Sequence, residues 1–252
     1  MGTLQKMTGQ QYLYGKKYDK AIIAVGSCEN HGFHLPFGTD TFVSSMLAEQ
    51  VAAQVDGLLV LPPINVGMSQ HYSHFPFTLT LQPETLIAVL KDILRSVIAN
   101  GIERIFIMNG HDGNIAPIEI ASRAIKLEHP TARIAALDAW WVTAGKLLPK
   151  GTFEVWDGLG HAGEGETSIG LALFPELIQM EHAKGVVPSL PENVEIKWLF
   201  GELTNTGATG DPTKATVAKG EKMVAVLVEA VVKFIKEMDA CGWQYSSKES
   251  AF

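Results

Sequence analysis

Residues 20–27 read KAIIAVGS, an apolar run closed by Gly26, and the same form returns in LLVLPPI (58–64), RIFIMNG (104–110) and RIAALDAW (133–140). Short apolar runs that end in polar or turn residues are the pattern of strands buried on both faces. Helical patterns lie between them. In PETLIAVLKDILRSVIANG (83–101), Leu86, Leu90, Ile93, Leu94 and Val97 share one face, with Pro83 in the first turn and Gly101 at the end. TDTFVSSMLAEQVAAQV (39–55), GNIAPIEIASRAIKLEHP (113–130), GETSIGLALFPEL (165–177) and ATVAKGEKMVAVLVEAVVKFIKEM (215–238) read as further helices. Alternating strands and helices predict an α/β fold, with a mainly parallel central sheet covered by helices on both faces. No repeat or linker interrupts residues 1–252, so a single domain is expected. Residues 184–214 carry the weakest pattern and predict an irregular excursion near a pocket or a subunit contact.

Composition narrows the function classes. With 46% hydrophobic residues the chain has the material for a large core, and a net charge of −7 argues against a phosphate-backbone partner. No apolar run approaches the ~20 residues needed to cross a bilayer. The start MGTLQKMTGQQYLYGKKYDK has no signal-peptide segment, so a cytoplasmic protein is expected. Cys28 and Cys241 are too few for a disulfide framework and fit a reducing compartment.

In open parallel sheets, ligands collect beyond the carboxyl ends of the strands. The chemistry-bearing residues fall there. GSCENHGFHLPFGTDTF (26–42) sets Glu29, His31, His34 and Asp40 within one short stretch after the first strand. Glu29 and His31, two apart, point to one side if the strand runs on through them. Gly32, Pro36 and Gly38 let the chain turn back so that Asp40, with two oxygens, can bridge two cations. His111 follows the third strand, and GHAGEGETS (160–168) offers Glu164 and Glu166 around His161. Zinc and manganese accept such mixtures of imidazole and carboxylate. A pair of ions ~3.5–4 Å apart ionises water near neutral pH and polarises a carbonyl, and an unliganded His161 can then carry the proton to a departing nitrogen. Six of eight histidines sit in such short clusters, including His71 and His74, while His129 and His182 read as surface residues.

These motifs carry a resemblance. GSCENHGFHLPFGTDT resembles the pattern G-S-x-E-x-H-G-x-H-L-P-x-x-T-D, NGHDGN (109–114) resembles N-G-H-x-x-N, and GHAGEGETS resembles H-x-G-x-x-E-T-S of the creatininase (creatinine amidohydrolase) family. SHFPFTLTL (73–81) and GATGDPTKATVAKG (207–220) fall where that family has H-F-P-G-T and a G-x-x-G-D-P segment, so the likeness spans roughly residues 20–240. It implies a three-layer α/β/α sandwich, two divalent ions (Zn or Mn, with Fe as a further option), a small-molecule substrate and a homohexamer. By motif, Glu29, His31, Asp40 and His111 are the implied ligands, Asp40 bridging, and His161 the proton carrier. Trp141, Trp156, Asp112, His34 and Phe77 are the candidate substrate contacts.

The chain also departs from the family. Creatininase proper has Tyr then a metal-binding Glu after the His of N-G-H, where this chain has Asp112 and Gly113. Glu164 is the expected replacement, with Asp112 as the other option. Phe77 stands where the family has Gly, which predicts an altered pocket wall. The implied reaction is cleavage of a C–N bond, an amide and in particular a cyclic one, by metal-activated water. Removal of a formyl group from a flavin or deazaflavin precursor and ring opening of a diketo-inositol are alternatives within the family. A thiol hydrolase built on Cys28 with His31 as base is a remote one, because the adjacent Glu29 would raise a thiol's pKa.

Overall fold

In KAIIAV, Ile22 packs into one apolar cluster while Ala21, Ile23 and Val25 pack into another, the alternation that period-2 geometry imposes on a strand covered on both sides. The computed structural model describes residues 2–189 and 196–244. Among them the strands are β1 (Gly2–Thr3), β2 (Lys20–Val25), β3 (Leu58–Val60), β4 (Arg104–Asn109) and β5 (Arg133–Leu137). They pair in parallel in the order β1-β3-β2-β4-β5. The helices are α1 (Gly9–Tyr14), α2 (Thr39–Ala52), α3 (Pro83–Ala99), α4 (Ile115–Glu128), α5 (Trp140–Leu147), α6 (Glu164–Leu173), α7 (Phe200–Leu203) and α8 (Val217–Ala240).

Two helical layers follow from the two strand faces. Ile22, Val60, Phe106 and Met108 meet Leu47 of α2, Trp140 of α5, Ile169 of α6 and Leu227 of α8. Ala21, Ile23, Leu59 and Ile107 meet Leu86 and Leu90 of α3 and Ile118 of α4. The result is the three-layer α/β/α sandwich. Helix α3 shows what holds such a layer in place. Its N-cap residue Gln82 makes no capping hydrogen bond, whereas Leu86, Leu90 and Leu94 are buried at about 1.5–3 kcal/mol apiece. Burial of the apolar stripe therefore outweighs capping.

Topology then selects the site. From β2 the chain passes through α2 to β3 on one side and returns to β4 on the other. The loops leaving β2 and β4 thus diverge, opening a crevice at their carboxyl ends. Gly110, just past β4, closes its floor: a Cβ there would lie 2.2 Å from the Asp40 carbonyl oxygen, so only glycine lets the start of α2 abut the strand end. Within the 184–214 excursion, Val186 bridges to Thr209 and α7 contacts the turn Gln70–Tyr72.

Candidate metal centre

Each functional side chain is placed by a local device. The Glu29 N–H donates to the Phe37 carbonyl (3.0 Å), closing the loop after β2 so that Asp40, in the first turn of α2, returns to it. Ser27 Oγ donates to Asp40 Oδ2 (2.6 Å). Asn109, the last residue of β4, grips His111 from both sides, donating to its carbonyl (2.7 Å) and accepting from its N–H (3.2 Å). The His161 N–H donates to Thr209 Oγ1 (3.0 Å). The Ala162 N–H donates to Glu166 Oε2 (2.5 Å), fixing that carboxylate at the head of α6.

Hydrogen bonding then fixes the histidine tautomers. His31 Nδ1 lies 3.0 Å from the Glu29 carbonyl, His111 Nε2 3.0 Å from the Met68 carbonyl and His161 Nε2 2.6 Å from the Asn30 carbonyl. A carbonyl only accepts, so each of these nitrogens carries a hydrogen. The opposite nitrogens face carboxylates. His31 Nε2 is 3.0 Å from Asp40 Oδ1 and 3.8 Å from Glu166 Oε2. His111 Nδ1 is 3.2 Å from both Glu29 Oε1 and Asp40 Oδ2. His161 Nδ1 is 3.8 Å from Glu29 Oε1 and 3.9 Å from Glu166 Oε2.

Acceptor facing acceptor calls for a proton or a cation between them. Both Glu29 carboxylate oxygens are buried without a hydrogen-bond partner, the His111 contact lacking hydrogen-bond geometry, a state that costs several kcal/mol if nothing answers it. The donor atoms of Glu29, Asp40 and His111 lie within 4.8 Å of one another, as do those of His31, Asp40 and Glu166. The two triads share Asp40, whose Oδ2 faces His111 and whose Oδ1 faces His31. Glu29, His31 and His161 form a third such group. This mixed donor set, each imidazole fixed by a carbonyl behind it, fits zinc or manganese.

Electrostatics show what cations would replace. In the cation-free cluster burial opposes a charge on His31, but the Asp40 and Glu166 carboxylates outweigh it and push it up to about 10. Burial is likewise outweighed at His111, which Glu29 and Asp40 raise well above the usual imidazole value. Asp40, despite its burial, is held well below the carboxylate range by His31 and His111. Glu166 moves the other way, raised to about 7 by burial and by Asp40 against the pull of His31. His161 falls to about 3, from burial and then the charge on His31. It is therefore a neutral base at physiological pH.

Glu29, His31, Asp40, His111 and His161 all converge on this crevice, whereas the expectation for Glu164 needs correction. Glu164 faces away, its Oε1 accepting from Lys219 Nζ (2.6 Å) and its Oε2 from the N–H groups of Glu154 and Val155 (2.9 Å each). Glu166 takes its place in the cluster, with a side chain 12% exposed. Gly113 offers no alternative, because a Cβ there would meet the Met68 carbonyl at 2.1 Å. Asp112 and Trp141 line the adjoining cavity of about 790 Å³, but Asp112 belongs to neither triad.

Three expected substrate contacts lie elsewhere. Phe77, at φ 55° and 82% exposed, points to solvent, and Trp156, at φ 48°, is partly exposed; neither lines the cavity. His34 is buried behind it on Thr167 Oγ1 (2.9 Å) and depressed to about 4 by burial and His31. Cys28 is half-buried, with its thiol pushed up by burial and Glu29, and His31 is committed to Asp40; both count against the thiol reading. Sequence reasoning noted His71 only as a clustered histidine and missed Tyr72, Trp198 and Phe200; the four form an aromatic side of the cavity. The His and Tyr in SQHYSH (69–74) were the available signal. Ile196, Lys197 and Thr209 of the excursion also line it.

Comparison with known proteins shows the family and the fold. Residues 5–235 match the family described as creatinine amidohydrolase. The chain is 32% identical to the mycofactocin precursor peptide peptidase of Mycolicibacterium smegmatis, covering 85% of this chain and 83% of that one. It is 30% identical to the creatinine amidohydrolase of Pseudomonas putida (86% and 88% covered). With the 3-dehydro-scyllo-inosose hydrolase of Thermotoga maritima the identity is 31% (88% and 78% covered). Among solved structures, a manganese creatininase superposes with a TM-score of 0.77 at 26% identity, covering 93% of this chain and 97% of its own. A zinc–zinc form of a creatininase mutant gives the same score at 27% identity and the same coverage. With its sequence, fold and histidine–carboxylate crevice all in agreement, the chain belongs to the creatininase family of amidohydrolases.

Proposed function

We propose that this protein is a dinuclear-metal-dependent hydrolase that cleaves a carbon–nitrogen bond, an amide and in particular a cyclic one, in a small polar metabolite. The observation that carries the reading is the sharing of Asp40 between two buried triads. Glu29 and His111 would hold one divalent ion and His31 and Glu166 the other, with Asp40 contributing one oxygen to each. Zinc or manganese bound there would supply ionised water at neutral pH and polarise the carbonyl. The chain's own residues supply the rest. His161, its Nε2 tied to the Asn30 carbonyl, keeps Nδ1 as the acceptor for the water proton and returns it to the departing nitrogen. Trp141, Trp198 and Phe200 flank the substrate and exclude water.

A second reading has support of its own. A cavity of about 790 Å³ exceeds what one small ring fills, and a relative 32% identical is a peptide peptidase; both favour a peptide amide. A panel of cyclic amides, formamides, diketo-cyclitols and short peptides, assayed with manganese or zinc before and after EDTA dialysis, separates the readings. Turnover that survives EDTA and is lost to iodoacetamide would overturn the metal mechanism in favour of Cys28.

Assembly is part of the reading. Exposed Phe33, Phe37, Phe77 and Leu79 lie on two loops that hydrogen-bond to the same segment, through Glu29 N–H to Phe37 O and Leu79 N–H to Cys28 O. Such a patch favours a homo-oligomer, a hexamer by family likeness. A monomer in light scattering at micromolar concentration would refute it.

A further inference from the structure

Tyr72 carries a polar group that the fold does not use. Its ring is enclosed by His71, His161 and Phe200, at centroid distances of 4.5, 4.4 and 4.3 Å, and the residue is 4% exposed. Its backbone is fixed as well. The Tyr72 N–H donates to the Ser69 carbonyl (2.9 Å), and the Tyr72 carbonyl accepts from Phe75 N–H (2.9 Å). Met68 and Ser69, at the root of this turn, hold His111 Nε2 through the Met68 carbonyl and Ser69 Oγ. The turn is thus braced against the triads. Yet no described side chain or carbonyl ties the phenolic oxygen, and it is not among the fully buried polar atoms left without a partner, so the hydroxyl keeps access to the cavity that Tyr72 lines and is free to donate to a ligand there.

The cavity wall that contains Tyr72 also contains Asp40, His111, His161 and Glu166. Of these, the ionised carboxylates only accept, and the imidazole nitrogens are engaged by those carboxylates or by the Met68 and Asn30 carbonyls. A substrate carbonyl needs the opposite partner.

We propose that the Tyr72 hydroxyl donates a hydrogen bond to the oxygen of the scissile carbonyl, which makes Tyr72 a catalytic residue. The proposal rests on the hydrolase reading above. As water oxygen bonds to the carbonyl carbon, the π pair moves onto the carbonyl oxygen and the hydrogen bond from Tyr72 strengthens. When the pair returns, the C–N bond breaks and the nitrogen leaves with the proton held by His161. The phenol keeps its own proton throughout, because its ordinary pKa is ~10 and burial raises it further. A donor fixed in advance and strengthened in the transition state contributes on the order of 10²–10³ in kcat.

Methylphosphonate, a tetrahedral oxyanion, probes the contact without turnover. Calorimetric titration into manganese-loaded wild type and Tyr72→Phe should show the variant binding about 10-fold or more weakly, with manganese content and melting temperature unchanged. Equal affinity in the two proteins overturns the proposal, as does a manganese-loaded wild type that does not bind the phosphonate. A wild type that takes up no manganese overturns the hydrolase reading together with it.

Discussion

Glu164 and Glu166 stand two residues apart at the head of α6, and exchanging each for Gln should have opposite consequences. Glu164→Gln removes the charge opposite Lys219, whose side chain is 16% exposed. Removing one partner of a fully buried ion pair costs ~3–5 kcal/mol. Here Lys219 keeps the Lys214 carbonyl (2.9 Å) and Glu154 Oε1 (3.2 Å), and a glutamine oxygen still accepts from one backbone N–H. The loss should therefore be nearer about 2 kcal/mol, a fall in Tm of about 4–8 °C for a chain of this size. Metal content should not change. Glu166→Gln should do the reverse, keeping Tm in the metal-free state within a few degrees while weakening the cation shared by His31 and Asp40 by about 100-fold or more. Calorimetry on metal-free protein and metal emission spectroscopy after dialysis read the two effects. A Glu164→Gln protein that loses a cation, or a Glu166→Gln protein that keeps its full complement, would refute the assignment.

Acid and base should act on the metal-free protein with predictable sign. His31, raised to about 10 from ~6.5 unfolded, contributes stability that is present below pH 6.5 and lost as pH rises towards 10, whereas His34 and His161, depressed to about 4 and about 3, lower stability as pH falls below 6.5. A melting-temperature profile that is flat from pH 4 to 10 would contradict this. Cation binding at pH 7 should release protons from His31 and His111, seen as a dependence of the calorimetric heat on buffer ionisation; no dependence counts against those ligands. His161→Asn should lower kcat by about 10²–10⁴ while leaving metal content intact, and loss of metal instead would make His161 a ligand. Gly113→Glu should destabilise the chain rather than add a ligand, because its Cβ would meet the Met68 carbonyl; a soluble variant with tighter metal binding would show the loop can yield.

Much of this architecture was legible because the signals were local. Apolar runs such as RIFIMN, short and bounded by turn residues, fit strands buried on both faces, although RIAAL, read the same way, forms the half-buried edge strand β5. The ligands of residues 26–42 fall at a strand end where open parallel sheets bind. The choice between Glu164 and Glu166 was not legible from spacing. Two residues turn a helix by about 200°, so the carboxylates point to opposite sides, and which side faces the crevice depends on how α6 docks on α8. The Glu of H-x-G-x-x-E was the better guide, since it falls on Glu166. Trp156 follows from the family likeness and Phe77 from its place at a family Gly, but both sit at positive φ and neither lines the cavity, a local backbone turn that a motif match does not reveal. Tyr72 went unseen because its position depends on a turn tied to His111 through Met68 and Ser69, a contact between distant segments that no periodicity reveals.

The central claim is most directly tested by anomalous diffraction at the manganese and zinc edges from crystals of the loaded protein. Two peaks ~3.5–4 Å apart, with Asp40 between them, Glu29 and His111 on one and His31 and Glu166 on the other, is the expected result. A single peak, or a peak coordinated by Glu164, would contradict it.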